Sequence, residues 1–77
     1  DVLINDIEGA YDLGWIKDEK TRDGLIKKVK KIYKKDKKID KNLAKTLSLT
    51  LKLYRKDRIN EQAYNIIKAD LEWLTNN

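Results

Sequence analysis

The 77-residue chain contains no cysteine, no histidine and no proline, and only three glycines. Without cysteine, neither the disulfide staples that support many small extracellular domains nor a Cys-ligated metal is available, and the redox compartment stays open. Without histidine or cysteine, and with no glycine-rich phosphate loop and no nucleophile elbow, nucleophilic and His-mediated acid–base catalysis lack their parts. No run of 18 apolar residues exists, which excludes a membrane-spanning helix. No signal-peptide pattern is present either. In the absence of proline, capping residues and glycines must supply all the punctuation between elements.

Charge is abundant but unevenly placed. The net value is +5, with 40% of residues charged. Residues 1–24 carry 3 Lys/Arg against 7 Asp/Glu, residues 25–58 carry 14 against 3, and residues 59–77 carry 1 against 3. An acidic opening and a basic middle are expected to attract each other when packed, so the basic block can serve the fold as well as a partner. Seventy-seven residues make one small domain with little room for a deep cleft. A first residue of Asp1 in place of methionine suggests a module excised from a longer polypeptide.

Helical periodicity dominates. The densest apolar run, IDKNLAKTLSLTLKLYRKD (Ile39 to Asp57), places Leu43, Ala44, Leu47, Leu51 and Tyr54 on one helical face, with Leu49 and Leu53 pointing elsewhere. A helix apolar on two sides needs cover on both, which argues for a central third helix in a bundle. Leu47, Leu49, Leu51 and Leu53 also alternate with polar residues as a half-buried strand would. Leucine's helix propensity, the lack of Val or Ile between Leu47 and Leu53 and the absence of hairpin-turn chemistry favour the helix.

The remaining elements follow from the same signals. Leu3, Ile7, Ala10 and Tyr11 mark a first helix over about 2–13, closed by Gly14 as a left-handed cap. Asp18 is the N-cap of a second helix over about 18–36, whose buried face is Leu25, Ile26, Val29, Ile32 and Tyr33. Gly24 within it implies close packing or a fraying first turn. Asp40 caps the third helix (40–56). Asn60 caps the fourth (60–75), with an Ile59–Tyr64 staple, a stripe of Ala63, Ile67, Leu71 and Leu74, and Tyr64, Ile66 and Trp73 beside it. The fold class predicted is all-α, a four-helix bundle spanning residues 1–77. Tyr11 and Tyr54 are separated by 43 residues, as are Ile16 and Ile59, a faint echo of two helical hairpins burying equivalent turn residues.

Candidate contact residues are few. The run Lys27 to Lys38 presents Lys27, Lys28, Lys30, Lys31, Lys34 and Lys35 to a phosphate or sulfated sugar. Against this, lysine is the ordinary filling of an exposed helix face, arginine is scarce there and no motif offers base stacking, so nucleic acid is a disfavoured partner. No apolar face is left over for lipid. Among the aromatics, Trp15 stands in a turn beside Gly14 and is the one expected to contact a partner; the others are expected in the core. Asp18 with Glu19 and Asp70 with Glu72 read as helix-end or solvated charges. Neither DEKTRDG nor DKKID supplies the ligand pattern of a calcium loop, so no metal and no cofactor are expected.

The stretches IEGAYDLGWIKDEKTRDGLIKKVKKI and LYRKDRINEQAYNIIKADLEWL resemble the opening and closing segments of the FIMAH domain, a small helical module at the ends of bacterial adhesins and secreted hydrolases. Tyr11, Gly14, Ile16, Leu25 and Ile26 fit its opening; Ile59, Ala63, Ile67 and Leu71 fit its close. The chain departs from the pattern in its lysine-rich middle and acidic first half. The resemblance implies a non-catalytic accessory module, secreted or at the cell surface, facing a protein or glycan partner or acting as a spacer; separately, a monomer is expected. It implies no ligand-binding residues. If it fails, a cytoplasmic polyanion-binding domain using the Lys27–Lys38 face is the alternative.

Overall fold

The computed structural model describes residues 2–34 and 39–76. Four helices follow in order: α1 (Val2–Asp12), α2 (Glu19–Ile32), α3 (Ile39–Arg55) and α4 (Glu61–Asn76). They form a closed cycle in which α1 packs on α2 and α4, and α3 packs on α2 and α4, and among the described residues the backbones do not approach closely across either diagonal. The core is aliphatic: Leu3, Ile7 and Ala10 of α1, Leu25, Val29 and Ile32 of α2, Leu43 of α3, and Ala63, Ile67 and Leu71 of α4, completed by Ile16 and Ile59 from the turns. The helix spacing that places these residues on one face of each segment is the physical origin of the bundle.

Capping chemistry sets the boundaries. The Asp18 carboxylate accepts the Thr21 backbone N–H at 2.8 Å, and the Asn60 side-chain oxygen accepts that of Ala63 at 3.0 Å, each satisfying a first-turn donor of its helix. The third helix instead begins at Ile39, which puts Asp40 inside its first turn and not at the cap. The second helix ends at Ile32 with Tyr33 as its C-cap, shorter than the periodicity predicts. Tyr33 therefore leaves the buried face and is exposed. Gly24 is exposed and an added methyl there would touch nothing within 4 Å, so close packing is not the reason for that glycine.

The two interhelical turns are built alike. Gly14 (φ +81°) and Asp57 (φ +60°) are both left-handed. The N–H groups of Gly14 and Asp57 donate to the Tyr11 and Tyr54 carbonyls, and those of Trp15 and Arg58 donate to the Ala10 and Leu53 carbonyls. This is the paired bonding of a Schellman C-cap, repeated 43 residues apart. The turns then join each other. Ile16 and Ile59 form an isolated antiparallel bridge, flanked by Lys17 N–H to Arg58 O at 3.0 Å and Asn60 N–H to Trp15 O at 2.9 Å. Arg58 adds an exposed ion pair to Asp18 at 3.3 Å. One end of the bundle is thus stitched shut by backbone, and the echo read from sequence is its visible trace.

Equivalent turns with different residues make a paired prediction. Gly14→Ala forces a Cβ into the left-handed region and is expected to lower stability by about 1 kcal/mol. Asp57→Gly relieves the same strain and should raise it by about 0.5–1 kcal/mol. Urea unfolding of the two variants checks the opposite signs, and equal signs would contradict the equivalence of the turns.

The third helix departs most from its sequence reading. Its buried line is Leu43, Thr46 and Thr50, the two threonines fully enclosed, whereas Ala44 is exposed and Leu47, Leu51 and Tyr54 are only half-buried. Relative to the expected face the helix is turned by about 70°. The reason lies in its two apolar sides. Turning it so that the threonines point inward lets Leu49 and Leu53 lie beside Leu25 of α2 while Leu47 lies beside Leu71 of α4. Both leucine rows gain cover, and the inward hydroxyls are satisfied locally: Thr46 donates to the Asn42 carbonyl at 2.8 Å and Thr50 to the Thr46 carbonyl at 2.7 Å.

Candidate functional site

At the end of the bundle opposite the stitched turns, the first turn of α1, the end of α2 and the last turns of α4 converge. There Val2, Leu3, Tyr33, Asp70, Trp73 and Leu74 line an open groove of about 470 Å³. Leu3 and Leu74 belong to the core or pack against it. Val2, Tyr33 and Trp73 do not: they are 72%, 49% and 64% exposed, three of the four large apolar side chains exposed among the described residues. Trp73 was expected beside the core. At 100° per residue it lies about 120° from the centre of the Ala63–Ile67–Leu71 stripe, so α4 turns it outward.

Asp70 lies about 60° from that same centre, on the flank of the stripe, which half-buries it. Its Oδ2 is buried and receives no hydrogen bond. Burial, then a hydrogen bond and repulsion from Asp6 of α1, raise its pKa from 3.8 to about 7. The group that perturbs the Asp70 carboxyl is thus Asp6, across the α1–α4 contact, and not its sequence neighbour Glu72. The Tyr33 hydroxyl is also raised, by burial and by the charge of Asp70. No lysine or arginine among the described residues reaches Asp70 within 4.0 Å, although the chain has 18 of them.

The remaining candidate residues sit elsewhere. Trp15, expected as a partner contact, is half-buried against the core, and its carbonyl is tied into the bridge between the turns. Lys27, Lys30 and Lys31 are exposed along α2, Lys34 is exposed just beyond its end, Lys28 is half-buried, and Lys35 lies outside the described residues. Lys28 and Lys31 meet Lys45 and Asn42 of α3 around a small cleft of about 60 Å³, where the Asn42 amide donates to the Lys31 carbonyl at 3.2 Å. Among the described residues the ion pairs are Arg22–Asp23 and Arg58–Asp18; the second joins the acidic opening to the basic middle, and neither involves a lysine. Arg22 instead lies over the Tyr11 ring at 4.6 Å, joining α2 to α1. Near the Asp18 turn, the Thr21 backbone N–H and then its hydroxyl hold the Asp18 carboxyl below its usual range, with Arg58 adding to the effect.

Among the described residues no group of three or more acidic side chains comes together as a metal site, and no helix is long and apolar enough to cross a membrane. The Asp36 part of DKKID falls outside the described residues. Chemically, the groove offers aromatic and aliphatic walls and one under-bonded carboxyl, which suits binding. No family model, curated protein or solved structure matches this chain.

Proposed function

We propose that this domain is a non-catalytic interaction module that presents the Val2–Tyr33–Trp73 groove to a partner, and that it serves as an accessory unit of a secreted or cell-surface hydrolase or adhesin. The observation that carries the reading is the gathering of three exposed large apolar side chains around one concave site, since such residues are normally scattered singly on a soluble surface. Aromatic side chains rimming a groove are the usual anchors of a protein or glycan contact. The resemblance of both chain ends to the FIMAH module supports the accessory role.

A second reading draws on one specific observation, that among the described residues no carboxylate pairs with the lysines of α2 and α3. Unneutralised charge of this kind favours a polyanion such as a sulfated glycan. Amide and indole chemical-shift mapping with heparin, short oligonucleotides, mucin-type glycans and short capped peptides, at low and physiological salt, separates the two. Perturbations centred on Trp73, Val2 and Tyr33 that persist in salt are the expected result. Perturbations confined to the Lys27–Lys34 and Lys45 surface that vanish in Lys27→Glu/Lys31→Glu would favour the polyanion reading and overturn the first.

A further inference from the structure

Resting on the groove reading above, we infer that the groove takes an arginine side chain from a partner protein, its aliphatic stem against Leu3, Leu74 and Val2 and its guanidinium held by Asp70 and Asp6. Four features of the site converge on this chemistry. The walls are apolar and the volume, about 470 Å³, exceeds what one side chain needs, so a flanking apolar residue of the partner fits beside it. The one charged residue in the lining is an acid whose Oδ2 receives no hydrogen bond. A second carboxyl, Asp6, stands near the first and adds to the acidic character of this side of the groove. The exposed rim includes the aromatic side chain of Tyr33, and a guanidinium plane stacks on such a ring.

Arginine suits the site better than lysine because its planar fork can serve two carboxyls and an aromatic face together. The fit is also electrostatically selective within this molecule. The protein is basic overall, yet this end of it offers an acid pair that none of the described lysines or arginines occupies. An acidic or neutral apolar ligand would leave the acid pair buried without a donor, which is unfavourable.

The test is a chemical-shift titration with the capped tripeptide Leu-Arg-Leu and its citrulline analogue, which keeps the shape but removes the charge. The arginine peptide is expected to move the Trp73 indole and the Val2 and Leu74 amides, and to bind about tenfold more tightly than the citrulline peptide, as loss of one charge-assisted hydrogen bond implies. In Asp70→Asn, which keeps the side-chain volume, this preference should fall to about twofold or less. Equal binding of the two peptides at the groove would overturn the arginine inference while leaving the interaction module standing. Binding of neither, with no groove resonance moved by any of the ligands in the wider screen, would overturn both. Concentration-dependent groove shifts in the protein alone would identify a second copy as the occupant and likewise overturn the inference.

Discussion

Replacing Ile16 or Ile59 with alanine is expected to cost about 2–4 kcal/mol each. A domain of this size holds only about 4–12 kcal/mol in total, so either variant should lie close to its unfolding midpoint at moderate temperature. Both side chains are almost wholly buried, 1% and 2% exposed, and they face one another across the bridge that joins the two turns. The expected signature is non-additivity. Once one isoleucine is gone its partner has lost part of its packing, so the double variant should be less damaged than the sum by about 1 kcal/mol. Urea unfolding followed by tryptophan fluorescence measures all three. Strict additivity would show that the two turns are joined by backbone alone.

The second large effect belongs to Asp70→Asn, and its sign depends on pH. Because the folded pKa, about 7, stands above the ordinary 3.8, the folded chain binds the Asp70 proton more tightly than the unfolded chain does. That contribution is fully present below pH 4 and is lost as pH rises through 7. Asp6 of α1 and Tyr33 at the end of α2 are the titratable groups that face it. Because the carboxyl is half-exposed, solvent screening reduces the cost of ionising it to about 1–2 kcal/mol. Asparagine is neutral at every pH. The variant should therefore match the parent at pH 4 and exceed it at pH 8, with a midpoint higher by about 4–16 °C. A thermal midpoint unchanged by the substitution at pH 8 would mean that the carboxyl is already well solvated or paired.

Much of the fold is legible in the residues themselves. Period-3.6 stripes, the Asp18 and Asn60 caps and the glycine at the first turn fix the helices because each is a local feature of a short segment. Where the reading departs from the structure, the decision is made between segments. The third helix has two apolar sides, and its rotation is settled by what α2 and α4 leave uncovered, so two threonines rather than the leucines point inward.

The candidate site shows the same division. Trp73's outward direction could be had from its angle to the α4 stripe, and this was the signal available for it in the sequence. The pairing of Asp70 with Asp6 spans 64 positions and has no sequence signature, so the nearer Glu72 looked the better neighbour. Trp15 drew attention because it stands beside a glycine in a turn. That turn packs inward and its backbone is committed to the bridge.

The backbone bridge between the turns also orders the molecule's slow motions. The Lys17 and Asn60 amide protons, each held across two distant parts of the chain, can be released only when the halves separate, so their exchange with deuterated solvent should report global unfolding. Among the described residues no backbone bridge of this kind holds the far end of α4, and its amides are expected to exchange through partial fraying that leaves the rest intact. Trp73 and Leu74 ride on that fraying segment. A bound occupant would therefore reveal itself first as slowed exchange in the last turns of α4, while the turn amides keep the rate set by the whole domain.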